Sequence, residues 1–231
     1  MRPLNQAKIL YILLSAIFIF AIYCAYAYDL PKWFPFNEKN ALTEWQEKIF
    51  KGKVLYTVKP DDPTGYLKAQ SKGACSGLIY KIKFNAQQLP MISWQWKINQ
   101  FPGKNKAEPA TASSSGWLEK DDYAARVYVI FPSWNFMNIR SLEYIWDETL
   151  AEGTIVTSPY SANIKLIVVQ SGKNGTSDWV AEERNIAEDY KMAFGKGSSL
   201  SVGAIALMTD ADNTISTAEA EYKDIKVGYK K

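Results

Sequence analysis

The chain has 231 residues, 27 Lys and Arg against 24 Asp and Glu, a formal net charge of +3, and 47% apolar side chains. That length holds one large domain or two small ones, and the composition suits a globular chain, not a disordered one. With no histidine and only two cysteines, it excludes Ser-His-Asp and Cys-His catalysis, imidazole acid–base chemistry, a disulfide framework, and zinc sites built on histidine or on four cysteines.

Ile9 to Ala27 is an apolar run preceded by Arg2 and Lys8 and by no acid. A basic start followed by an apolar stretch marks an export signal. Ala25-Tyr26-Ala27 fits the small-x-small rule for cleavage after Ala27. The same run is long enough to span a bilayer, so residues 1–27 are expected to be an apolar helix, either a signal peptide or a membrane anchor. In both cases the rest of the chain faces the far side of the cytoplasmic membrane, in the periplasm or tethered to the inner membrane. Bulky Tyr23 argues against lipidation at Cys24. Without residues 1–27 the charge is +1, with no clustered Lys/Arg face of the kind nucleic acid requires. The remaining thiol, Cys75, reads as a small buried hydrophobe.

Residues 28–44 form a proline- and aromatic-containing lead-in or linker. Residues 41–50 read as a short helix or a strand. Residues 45–231 are expected to form one β-sandwich domain. Strands are expected at 54–58 and 66–70, at 74–84 with Leu78, Tyr80, Ile82 and Phe84 alternating, and at 91–98 with Ile92, Trp94, Trp96 and Ile98 on one buried face. Residues 99–120, rich in Pro, Gly, Ser and Lys, read as a long exposed loop. Strands follow at 122–131, 139–147 and 163–170. Residues 182–195 are expected to be the one helix, because Ile186, Tyr190 and Phe194 recur every four residues and Gly195 stops it. Strands at 200–209 and 217–229 end the chain. Nine or ten short strands, one late helix and no βαβ alternation predict a mainly β, antiparallel jelly-roll β-sandwich.

Several motifs look familiar in their order and spacing. They are Asp121-Asp122-Tyr123-Ala124-Ala125-Arg126-Val127-Tyr128-Val129, Tyr144-x-Trp146, Ser158-Pro159 and Trp179-Val180-Ala181-Glu182-Glu183-Arg184-Asn185. Asp189-Tyr190, Phe194-Gly195, Met208 to Thr214 and Ala220 to Ile225 follow. Together with Ser71 to Leu78 and Trp94-x-Trp96, they resemble the bacterial domain-of-unknown-function family numbered 3047 over roughly residues 45–228. Lys223 departs from the pattern, which has glycine before Asp224. The resemblance implies an exported protein whose fold is similar to the jelly-roll sandwiches of carbohydrate-binding modules. It assigns no activity.

Four constellations are candidates for chemistry. Asp121, Asp122 and Arg126 place an arginine among acids. Asp122 and Arg126, four apart on a strand, would lie about 13 Å apart, so each needs a partner from a neighbouring strand. The group forms either an ion-pair network across the sheet or a polar cleft for a sugar or carboxylate. Glu182, Glu183, Arg184 and Asn185 with Asp189 open the expected helix, where acids suit the dipole. They act as a cap with an Arg184 salt bridge to the sheet, or Glu182 or Glu183 serves as a catalytic acid; Glu182, Arg184 and Asn185 are the ligand-binding candidates here. Asp210, Asp212 and Asn213 follow a buried strand as an Asx-type turn or a calcium loop, although the glycine and distal glutamate of an EF-hand are missing. Trp117 and Trp134 sit in polar loops as candidate sugar-stacking platforms or loop-closing side chains.

These features lead to an exported envelope protein, non-enzymatic, binding carbohydrate or a similar polar ligand. No cofactor is expected beyond calcium, no nucleic acid, and no membrane contact except through residues 9–27. The alternatives are a polysaccharide-acting hydrolase or lyase using Asp/Glu, and a structural component of an envelope assembly.

Overall fold

The computed structural model describes residues 30–60, 64–104, 121–173, 178–195 and 200–231. The expected signal or anchor lies outside them, as do Trp117 and most of the expected 99–120 loop. Among the described residues no helix is long and apolar enough to cross a membrane.

Thirteen strands are described: β1 Lys32–Phe34, β2 Gln46–Lys51, β3 Leu55–Lys59, β4 Tyr66–Lys72, β5 Cys75–Asn85, β6 Met91–Gln100, β7 Arg126–Phe131, β8 Arg140–Asp147, β9 Ile155–Thr157, β10 Ile164–Ser171, β11 Val180–Asn185, β12 Ser201–Asp210 and β13 Thr217–Tyr229. Among the described residues there is one α-helix, α1 Ile186–Phe194, which lies between β11 and β12. The strands form two sheets. One runs β11-β6-β13-β4-β3, with β1 also on β13; the other runs β2-β5-β12-β7-β8-β10-β9. The described residues therefore form a two-sheet β-sandwich with one α-helix.

Period-2 patterning explains why the sheets face each other. Ile92, Trp94, Trp96 and Ile98 of β6 share one core with Leu78, Tyr80, Ile82 and Phe84 of β5, Val127, Val129 and Phe131 of β7, and Leu142, Tyr144 and Trp146 of β8. Each large apolar side chain buried there stabilises the fold by about 1.5–3 kcal/mol. The rings meet edge-on or tilted, as their quadrupoles favour: Trp94 lies 5.3 Å from Trp96 and 5.2 Å from Tyr144. The central strands of the seven-stranded sheet are buried on their second face too. Tyr128 and Ile130 cluster there with Ala204, Ala206 and Met208, and Tyr123 clusters with Ile145, Leu166 and Val168.

Several expectations require correction. The strand expected at 122–131 begins only at Arg126. The helix expected from 182 begins at Ile186, because Val180, Glu182 and Arg184 pair opposite Trp96, Trp94 and Ile92 as an edge strand. The strand count exceeds nine or ten, since three-residue strands such as β1 and β9 carry too few residues to show a period. The sandwich is not wholly antiparallel, because β10 inserts between β8 and β9 and runs parallel to β8.

The lead-in takes part in the fold. Lys32 to Phe34 pair with β13, and Phe36 bridges Gly65. Gly65 has φ +63°, and a Cβ there would overlap the Phe36 backbone, so this contact requires glycine. Lys223, where the resemblance led to the expectation of glycine, borders the β13 irregularity. The positive φ of that irregularity falls on Asp224, and the Lys223 ammonium sits 4.2 Å from the Trp179 ring centroid.

Candidate functional site

Three polar centres stand out. The first surrounds Arg126, the buried first residue of β7. Its Nε donates to Asp210 Oδ1 at 3.0 Å, Nη2 donates to Asp210 Oδ2 at 2.5 Å, and Nη1 donates to Glu143 Oε2 at 3.1 Å. Asp210 ends β12 and Glu143 lies on β8, so both flanking strands supply partners. Asp121 adds its backbone carbonyl and, at 3.5 Å, a carboxylate oxygen. Residues 121–125 are not extended, which is how Asp121 reaches a guanidinium five residues on. Asp122 does not reach it; its carboxylate accepts from the Asn213 and Thr214 backbone N–H groups and the Thr214 hydroxyl.

Burial pushes Asp121, Glu143 and Asp210 each up to about 7, against the pull of Arg126. Arg126 itself stays charged. Burial opposes its charge, and Asp210 with its other anionic neighbours outweighs that.

The calcium expectation at Asp210, Asp212 and Asn213 is not what this corner favours. The ligand atoms of Asp210 and Asp212 lie within 4.8 Å of one another and of the Cys75 thiol. Both Asp210 oxygens already bind Arg126, and Lys51 stands 3.6 Å from Asp212. The Asn213 amide donates to Tyr160. Burial pushes the Cys75 thiol up, and its sulfur lies 4.0 Å from Met208 Sδ. Calcium takes six to eight oxygens, and a protonated thiol beside an arginine-bound aspartate does not supply them.

The second centre lies where β11 faces the interior. Arg184 Nε and Nη2 donate to the two Asp189 oxygens at 3.0 and 2.5 Å, and Asp189 also accepts from the Tyr144 hydroxyl at 2.9 Å. Burial pushes Glu182 up to about 7, opposed by Gln170 and by the Arg184 charge. Glu182 Oε1 and the indole nitrogens of Trp94 and Trp96 are buried without a completed hydrogen bond among the described residues. Asn185 is separate from this group. It caps α1, accepting from Ala187 N at 3.1 Å and Glu188 N at 3.2 Å.

The third centre is open. A cleft of about 420 Å³ is lined by Phe131, Pro132, Ser133, Asn138, Arg140, Asn163, Tyr190 and Ser201. It lies where β7 ends, β8, β10 and β12 begin, and α1 crosses. Asn135 caps the 3-10 turn Phe136–Asn138 on its rim, accepting from Met137 N. Asn163 pins this turn by donating to the Met137 carbonyl at 2.7 Å. Arg140 Nη1 donates to the Tyr190 hydroxyl at 2.6 Å, and its guanidinium lies 5.0 Å from the Phe194 centroid. Trp134, next to the lining residue Ser133, is 93% exposed.

The structure thus joins Asp121 and Asp210 to Arg126, pairs Arg184 with Asp189 and not with Glu182, and leaves Asp122, Asn185 and Trp134 elsewhere. Sequence reasoning missed Glu143, Arg140, Asn138 and Asn163. Arg140 lies two residues after Asn138, the end of the loop FPSWNFMN, whose aromatics were its one visible signal.

No curated protein matches the chain. Among solved structures, a family 11 carbohydrate-binding module of a Clostridium thermocellum cellulosomal cellulase is 11% identical, with a TM-score of 0.42 over 81% of this chain and 88% of that one. The xyloglucanase domain of NopAA from Sinorhizobium fredii is 9% identical, with a TM-score of 0.45 over 80% and 93%. A family 30 carbohydrate-binding module from Clostridium thermocellum is 9% identical, with a TM-score of 0.42 over 81% and 92%. The family model described as protein of unknown function (DUF3047) matches residues 43–226, and the chain belongs to that family.

Proposed function

We propose that the protein is an exported, non-enzymatic jelly-roll domain of the bacterial envelope that binds carbohydrate or a similar polyhydroxylated ligand in the Arg140 cleft. The observation that carries this reading is an open cleft lined with polar groups, one of which, Ser133, is followed directly in the chain by the almost fully exposed Trp134. Exposing an indole to water is unfavourable, whereas a sugar's C–H face covers it by apolar contact. Ser133, Asn138, Asn163 and Ser201 offer donors and acceptors for hydroxyls.

The test is a glycan-array and thermal-shift screen of the purified full-length chain, repeated with Trp134→Ala. A saccharide should raise the melting temperature. The variant should weaken binding at least tenfold and leave unliganded melting within about 1 °C of wild type, because surface substitutions rarely matter to stability. Undiminished binding in the variant would move the site elsewhere. No binding by any saccharide would sink the reading and favour a structural envelope component.

A second reading, a polysaccharide hydrolase or lyase, draws on Glu143 and Asp210, both raised to about 7. Glycoside cleavage needs two carboxyls flanking the scissile bond. Here both close on one buried guanidinium, which favours binding over cleavage. Release of reducing ends by wild type and not by Glu143→Gln would reverse that preference.

A further inference from the structure

We infer that the cleft selects acidic saccharides and seats a sugar carboxylate on Arg140. This rests on the cleft being the saccharide site, and it adds the class of sugar. The other described arginines each have a carboxylate partner. Arg126 is held at two points by Asp210, and Arg184 at two points by Asp189. A partly buried guanidinium is normally matched this way, because its desolvation is offset by a charged, planar acceptor.

Arg140 is also partly buried, yet among the described residues no carboxylate lies within ion-pair distance of it. Its partners are neutral: the Tyr190 hydroxyl and the rings of Tyr190 and Phe194, with centroids at 5.7 and 5.0 Å. Ring faces fix the plane of a guanidinium without cancelling its charge. Tyr190 accepts from one of its five N–H donors. Among the described residues the lining contains no Asp or Glu, and Arg140 is its one charged group. The cleft therefore presents an oriented positive fork, together with amides and hydroxyls, and the residue after its Ser133 is the exposed Trp134. A uronic acid matches it, with a carboxylate for the fork, hydroxyls for the amides and a C–H face for the indole.

The experiment compares matched ligands on the full chain by calorimetry. Oligomers of galacturonic, glucuronic, mannuronic and guluronic acid are each titrated beside their methyl esters, which keep linkage and shape and remove the charge. At least one acid should bind tenfold or more tighter than its ester, and that ratio should shrink as salt rises. In Arg140→Gln the ratio should fall to about one, and Arg140→Lys should hold it in between. Ser201→Asp, which leaves the Arg140 stacking untouched, should reverse it by like-charge repulsion.

Equal binding of acid and ester, or a ratio that survives Arg140→Gln in a folded variant, would overturn the assignment while leaving saccharide binding intact. Binding confined to phosphorylated sugars would also overturn it. Failure of every saccharide, neutral or acidic, would remove the saccharide site itself.

Discussion

Arg126 illustrates how one residue's cost depends on the protonation of its neighbours. Three buried carboxyls share its charge, and all three are raised to about 7. Removing the guanidinium in Arg126→Ala leaves them without their cation, and breaking a buried pair from one side costs about 3–5 kcal/mol. That full loss is expected at pH 8, by urea denaturation. At pH 5 the orphaned carboxyls hold protons and the loss should be clearly smaller. An equal loss at both pH values would mean that the carboxyls are not what Arg126 serves. The need for cross-strand partners was legible from strand rise alone, since Asp122 and Arg126 lie too far apart on an extended chain. Glu143 and Asp210 were not legible as the partners, because strand order in a sheet of long-range pairings leaves no local mark. Asp121 was hidden for a different reason: it reaches Arg126 only because residues 121–125 abandon the extended conformation.

At the scale of elements, the boundary between β11 and α1 shows where local pattern and tertiary pairing diverge. Ile186, Tyr190 and Phe194 carry a true helical period, and Gly195 does end the helix, its N–H donating to the Lys191 carbonyl at 2.9 Å. The helix nonetheless starts at Ile186, capped by Asn185, and not at Glu182. Glu182 and Arg184 have no strong strand preference, and β6 imposes one by pairing with them. A capping signal was present in the sequence, an Asn directly before the first periodic apolar residue. Asn185 is thus assigned to capping, and Asn185→Ala should destabilise the protein by about 1 kcal/mol. Asn185→Asp should retain most of that stability, because an acid there also suits the helix dipole. Chemical denaturation of the two variants checks this. A saccharide affinity that falls with Asn185→Ala would instead return the residue to ligand contact.

At the scale of the whole molecule, two sheets around an aromatic core were legible, because alternation is a property of each strand by itself. The parallel β8–β10 pair was not, since it depends on the β9–β10 hairpin folding back beside β8. The same global burial sets how stability should respond to pH. Asp121, Glu143 and Asp210 have folded values near 7, well above their usual values near 4. The native state therefore binds more protons than the unfolded chain between pH 4 and 7. Their contribution is full below pH 4 and fades as pH rises through 7, each group giving at most about 1.4 kcal/mol per pH unit. Asp147 and Glu219 act oppositely. Burial raises them, yet Lys104 with the Leu150 and Thr149 backbone N–H groups, and Lys68 with Gln70 and Asn99, pull them below the usual range. Their contribution is lost only as pH falls below about 4. Stability should consequently peak near pH 4–5 and decline toward pH 8, as followed by melting temperature in a buffer series. Glu143→Gln, which removes one titrating proton from the interior, should flatten the decline. A melting temperature that is level or rising from pH 5 to 8 would mean that these carboxyls keep their charge in the folded protein, with Arg126 sufficient to hold all three.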